Sequence, residues 1–170
     1  MKVSRVWAMP NKWTFKVPVI AEFVHSYANG GVNWADPFAG QSDYAEFRND
    51  INPANNQPVC MEALEFLQAL EGIELDGVIF DPPYSLTQVS RSYKDIGLKF
   101  KGKENPTGGF PLVRDAIAQT VRSGGHVLSF GWNTVGMGKG RGFEMVELLV
   151  VCHGGNRNDT LCVAERKNKS

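Results

Sequence analysis

Three carboxylates in this chain sit in turns of similar make. Asp36 opens Asp36-Pro37-Phe38-Ala39-Gly40, Asp50 lies within Asn49-Asp50-Ile51-Asn52-Pro53, and Asp81 opens Asp81-Pro82-Pro83-Tyr84. Each follows a short extended or apolar stretch, so each is expected at the tip of a strand. A carboxylate there is a hydrogen-bond acceptor facing whatever ligand the strand ends hold. The third turn is the stiffest, because two prolines fix φ and keep the neighbouring acceptors nearly still. The other candidates for site chemistry are weaker. Cys60, Cys152, Cys162, His25, His126 and His153 show no metal-ligand spacing, so no metal site is expected and the cysteines read as reduced core thiols.

The elements that must carry these turns follow from periodicity. Residues 17–28 place Ile20, Phe23, Val24 and Tyr27 at helical spacing and stop at Asn29-Gly30-Gly31, a helix-ending signal. A short strand is expected at 32–35, an extended piece at 45–48, and a helix at 61–70 with Ala63, Leu64, Leu67 and Leu70 on one face. The strand that ends in Asp81 begins at 77. Residues 86–108 lack periodicity and read as an irregular loop. A helix near 111–122, a buried strand at 126–130, a glycine-rich loop at 131–142 and two strands at 143–152 and 160–166 complete the chain. Short apolar strands alternating with helical segments predict an α/β fold with a mostly parallel sheet, and the last two strands suit an antiparallel hairpin added to it.

Size and charge set outer bounds. The 170 residues suggest one domain with one core over 1–170. With 42% hydrophobic and 21% charged residues the chain reads as globular. No apolar run is long enough to cross a bilayer and the start leads into no signal-peptide core, so a cytoplasmic protein is expected. Lys+Arg and Asp+Glu both total 18, so a nucleic-acid partner would have to be held by a local basic patch.

Taken in order, Asp36-Pro37-Phe38-Ala39-Gly40, Asn49-Asp50-Ile51-Asn52-Pro53 and Asp81-Pro82-Pro83-Tyr84 resemble the cofactor and catalytic motifs of S-adenosylmethionine-dependent amino-methyltransferases, above all the adenine-N6 DNA methyltransferases. The resemblance runs over residues 12–167. It implies a Rossmann-like methyltransferase fold, S-adenosyl-L-methionine as cofactor, and methylation of an exocyclic amine without a metal, with N6 of adenine in DNA as the first expectation. Cytosine N4 or an RNA base is the same chemistry on another amine, and a non-catalytic subunit of a complex is the distant alternative.

The resemblance also implies roles. An exocyclic amine is a poor nucleophile because its lone pair is delocalised into the ring. Asp81 would accept one N–H and the Pro82 carbonyl the other, which favours a pyramidal nitrogen, with Pro83 holding the turn. Tyr84 would stack on a base swung out of its helix. Asp50 would accept from the cofactor ribose, while Asp36, Pro37, Phe38, Ala39 and Gly40 would lie beside its methionine half and Glu62 near its adenine, with Asp81 also among the residues that contact the cofactor. Trp13 would pack on the cofactor and Lys16 reach its carboxylate.

For the nucleic acid, Arg91, Lys94, Lys99, Lys101 and Lys103 stand against the single acid Asp95, with Tyr93 and Phe100 as aromatic surface. Arg91 and Lys94 are the first substrate contacts expected, and His153 and Asn156 would help hold the base. Two departures stand out. Only thirteen residues separate Asp36 from Asp50, too few for both a full helix and a strand, so the first crossover must be shortened. No segment is long enough for a target-recognition domain. Specificity is therefore expected to be short or relaxed, or to come from a second subunit, and a homodimer is compatible with the open site.

Overall fold

A computed structural model of the chain describes residues 1–99 and 110–169. Seven strands form one sheet: β1 (Lys2–Trp7), β2 (Trp34–Asp36), β3 (Phe47–Arg48), β4 (Leu75–Phe80), β5 (Val121–Gly131), β6 (Phe143–Cys152) and β7 (Thr160–Lys167). Their order across the sheet is β1-β6-β7-β5-β4-β2-β3. All neighbours are parallel except those of β7, which runs antiparallel to both β5 and β6. The carboxyl ends of the other six strands therefore share one edge, and the three turns lie there, after β2, β3 and β4.

The strands at the centre are buried on both sides, as a covered parallel sheet requires. Val78 and Phe80 of β4 and Val127 of β5 face α2 (Ala63–Ala69) and α4 (Pro111–Thr120), where Phe66, Leu67, Val113 and Ile117 complete one core. Ile79 and Leu128, one residue out of step, face α1 (Pro18–Tyr27) with Ile20, Phe23 and Val24. Residue 77 has to be glycine for the same reason: a Cβ there would meet the ring of Trp34, on the neighbouring strand, at 2.5 Å. Each fully buried aliphatic or aromatic side chain in these two layers contributes about 1.5–3 kcal/mol.

The α/β architecture, the mostly parallel sheet and the antiparallel C-terminal pair are as expected. The first crossover is indeed shortened: no helix lies between β2 and β3. Side-chain clasps take its place. Gln57 Nε2 donates to the carbonyls of Gly40 and Ser42, each at 2.9 Å. Buried Asn49 donates to the carbonyls of Pro37 (3.1 Å) and Met61 (3.0 Å) and accepts from Met61 N at 3.0 Å. Phe15 and Tyr44, edge to face at 5.7 Å, pack on the core beneath α1, on the side a longer crossover would have covered.

One of the expected elements needs correcting. Residues 86–108 are not an irregular loop from their start, because Leu86–Asp95 form helix α3. Its only buried residue is Val89, so no apolar stripe marked it, whereas the Ser85-x-x-Gln88 spacing was a legible capping signal. Ser85 Oγ does accept from Gln88 N at 3.2 Å. Phe100, Lys101 and Lys103 lie outside the described residues. Strand β1 is not among the expected elements: it carries mixed polar and apolar residues without strong alternation, and it pairs with distant β6.

The loop after β5 is irregular apart from one 3-10 turn at Lys139–Arg141. Buried Glu165 of β7 fixes it by accepting from the amides of Met137 (2.5 Å) and Gly138 (2.9 Å). No helix among the described residues is long and apolar enough to cross a membrane.

Candidate active site

Asp81 follows the last residue of β4 and is fixed by the two prolines behind it. Its Oδ1 accepts from the Tyr84 hydroxyl at 2.5 Å, and that hydroxyl lies 3.4 Å from Thr14 Oγ1. Burial pushes the Asp81 carboxyl up to about 6, while the hydrogen bonds from Tyr84 and Thr14 pull the other way. The Tyr84 hydroxyl is itself held well above its ordinary range, by burial first and by the Asp81 charge second, so it stays a proton donor. The Tyr84 amide donates to Gln88 Oε1 at 2.6 Å, which ties the turn to α3. The tyrosine ring thus lies folded against Asp81 rather than standing free as a stacking plate, with Trp132 edge-on at 5.6 Å.

The turns after β2 and β3 clasp each other. Gly40 has φ +55°, the left-handed region, where glycine is favoured, and a Cβ on it would press on the Trp13 ring at 3.2 Å. The Gly40 amide donates to Asp50 Oδ2 at 2.9 Å, while Asp50 Oδ1 accepts from Asn52 N at 2.8 Å and Asn55 Nδ2 at 3.0 Å. Three bonds leave a carboxylate with further acceptor capacity.

Asp36 lies beneath this clasp with no solvent exposure. Its Oδ1 accepts from Phe38 N at 3.1 Å, and its Oδ2 has no hydrogen-bond partner among the described residues. Burial, with the charges of Asp81 and Asp50 adding to it against the Phe38 hydrogen bond, holds the Asp36 carboxyl well above the usual range.

A cavity of about 600 Å³ runs continuously from Asp50 to Asp81. It is lined by Trp13, Lys16, Pro37, Phe38, Ala39, Gly40, Asp50, Glu62, Asp81, Pro82, Pro83, Tyr84 and Arg91, all singled out from the sequence. Helix α3 crosses its mouth: the Tyr93 hydroxyl donates to Glu62 Oε1 and Oε2 at 2.9 and 2.7 Å. The remaining site residues lie elsewhere. Asp36 is under the floor, and Lys94 is exposed on α3 outside the cavity wall. His153 does not reach the cavity, because its ring is engaged at both nitrogens, Nδ1 with Ala8 O and Nε2 with Thr160 Oγ1, each at 2.9 Å. Asn156 is exposed in the β6–β7 turn. Thr14 and Gln57 shape the site without having been singled out for it, since a hydroxyl or an amide in a loop carries no periodic signal, and Tyr93, expected as aromatic surface for nucleic acid, instead holds Glu62. No group of three or more His, Cys, Asp or Glu among the described residues could hold a metal ion.

No protein-family profile and no curated protein matches the chain. Solved structures do match in fold. TrmN from Thermus thermophilus superposes with a TM-score of 0.52 at 16% identity over 89% of this chain and 49% of its own, so the chain spans about half the length of that protein. The rRNA methylase from Streptococcus thermophilus gives 0.54 at 12% identity over 89% and 95%. The Burkholderia thailandensis 1,6-didemethyltoxoflavin-N1-methyltransferase, solved with S-adenosylhomocysteine, gives 0.56 at 11% over 89% and 78%. The fold of this chain is the Rossmann-like fold of S-adenosylmethionine-dependent methyltransferases.

Proposed function

We propose that the chain is an S-adenosylmethionine-dependent methyltransferase acting on an exocyclic amine, N6 of adenine in DNA. The observation that carries this reading is the single cavity in which the Gly40–Asp50 clasp and the Asp81-Pro82-Pro83-Tyr84 turn face one another.

The residues present fit the cofactor. Asp50 keeps acceptor capacity for ribose hydroxyls, and Trp13 gives an apolar wall over a turn that favours glycine. Lys16 brings a cation for a carboxylate, and Glu62 gives an acceptor held in place by Tyr93. The orphaned, buried Asp36 Oδ2 is a polar group waiting beneath the methionine end. Bound there, the cofactor supplies an electrophilic methyl group.

At the other end of the cavity the chain prepares the amine. Asp81 accepts one N–H and the Pro82 carbonyl the other, which localises the nitrogen lone pair. In the free protein the Tyr84 hydroxyl occupies Asp81 Oδ1, so an entering amine takes over that bond and frees the tyrosine ring to lie against the base. The amine sheds one proton as it is methylated, and Asp81, with a pKa of about 6, is the base in contact with it. Short or relaxed specificity, or a separate specificity subunit, remains part of this proposal.

Incubating the protein with methyl-labelled S-adenosylmethionine and DNA or RNA, and digesting the product to nucleosides, tests the reading. N6-methyladenine from DNA supports it. N4-methylcytosine, or label in RNA alone, moves the same chemistry to another amine.

A further inference from the structure

The cofactor cavity occupies only one half of the carboxyl edge, over β4, β2 and β3. The other half, above β5, β7, β6 and β1, is the part of that edge the cavity leaves uncovered beside Asp81. Two tryptophans are exposed on that half. Trp132 follows β5, is 43% exposed and stands edge-on to Tyr84. Trp7 ends β1 and is 63% exposed. Single exposed apolar side chains are ordinary on a protein surface; what marks these two is that both are indoles at strand tips on the edge that carries Asp81, one of them against Tyr84.

Trp7 is also fixed in place. His153 bridges Ala8 and Thr160, joining the end of β1 to the β6–β7 hairpin, and the Trp7 indole nitrogen rests against Gly154, 3.3 Å from where a Cβ would stand. Among residues 5–11, 131–137 and 152–160 the cations are Arg5 and Arg157 and the only acid is Asp159, whose Oδ1 accepts from the His153 amide at 3.2 Å. In a chain of zero net charge this half-edge is locally positive.

We infer that Trp132 and Trp7 form a stacking track for an unpaired nucleic-acid strand, with the target base in the Asp81 pocket and its neighbours running over β5 towards β1. This rests on the nucleic-acid reading above and goes beyond it by naming the strand state and two contact residues outside the motifs. Four strand spacings separate β4 from β1, roughly 19 Å, so several consecutive nucleotides are engaged. Base–aromatic stacking needs no sequence code, which suits a chain with relaxed specificity. His153 acts here as a positioning residue for Trp7.

The test is fluorescence anisotropy with a labelled 12-nucleotide single-stranded DNA containing one adenine, and with its duplex, on the full chain. Trp7→Ala and Trp132→Ala are each expected to weaken single-strand binding about tenfold. Trp7→Phe and Trp132→Phe should recover most of that loss, and S-adenosylmethionine affinity should stay unchanged in all four. Both rings are exposed, so unchanged cofactor affinity reports that the fold is intact. Single-strand binding within twofold of wild type in both alanine variants overturns the track, as does a wild-type preference for the duplex. A wild-type chain that binds neither probe overturns the nucleic-acid reading itself, a result distinct from binding that ignores the tryptophans.

Discussion

At the scale of single residues, the account rests on Asp81 being both needed and uncomfortable. Its ionised form is the acceptor for the amine, and burial raises its pKa to about 6. Activity should therefore rise through pH 6 and level off above it. Tyr84→Phe removes one of the hydrogen bonds that pull this pKa down, so the midpoint of the kcat/KM profile should move to higher pH while cofactor affinity holds. The linkage has a definite sign. A carboxyl whose folded pKa lies above its unfolded value binds more protons when folded, so its contribution to stability falls as pH rises between about 4 and 6. Asp81→Asn should accordingly raise the melting temperature at pH 8 and do so much less at pH 4.5, while abolishing methyl transfer. Thermal unfolding at the two pH values checks this.

At the scale of elements, the cofactor half is built by loops that substitute for a missing helix. Trp13 covers Gly40, so Gly40→Ala forces both a disfavoured backbone and a tight contact at 3.2 Å. Calorimetry should show S-adenosylmethionine affinity reduced at least tenfold. Helix α3 is pinned over the cavity by Val89 and by the bond from Tyr93 to Glu62. Tyr93→Phe should raise the KM for the cofactor severalfold and leave the melting temperature within about a degree, because one largely exposed helix is loosened and no core is disturbed.

What could be read from the sequence differs by element in the same physical terms. The strands and helices that bury one face or two, such as α1, α2, β4 and β5, announce themselves by spacing. Helix α3 buries a single valine and β1 is an edge strand whose partner lies far along the chain, so neither carries a pattern. The motif residues of the cavity were legible because carboxylate, proline and glycine are each demanded by local geometry. The roles of Thr14 and Tyr93 were not, because they depend on what the fold brings opposite each side chain. His153 looked like a base-pocket residue from its place in the last hairpin, yet the ring is spent on Ala8 and Thr160.

At the scale of the molecule, one edge of the sheet carries both the cavity proposed for the cofactor, over β4, β2 and β3, and the two exposed tryptophans, over β5, β7, β6 and β1. The chain has no net charge, so attraction to nucleic acid cannot come from a global field. Only Arg5 and Arg157 lie along the proposed track, which limits phosphate neutralisation there. The affinity for single-stranded DNA should fall with salt at a log–log slope no steeper than about −2, and a titration from low to moderate ionic strength checks that stacking rather than charge carries the binding.

The central claim is that Asp81 and the cavity it faces transfer a methyl group to an exocyclic amine. The most direct measurement gives wild-type protein and Asp81→Ala the same labelled S-adenosylmethionine and the same adenine-containing DNA, with cofactor binding measured on both. Label in N6-methyladenine is expected for wild type, with a loss of at least a hundredfold in the variant and cofactor still bound by both. Cofactor bound by both proteins with no label on any base, or equal label with and without Asp81, would contradict the claim.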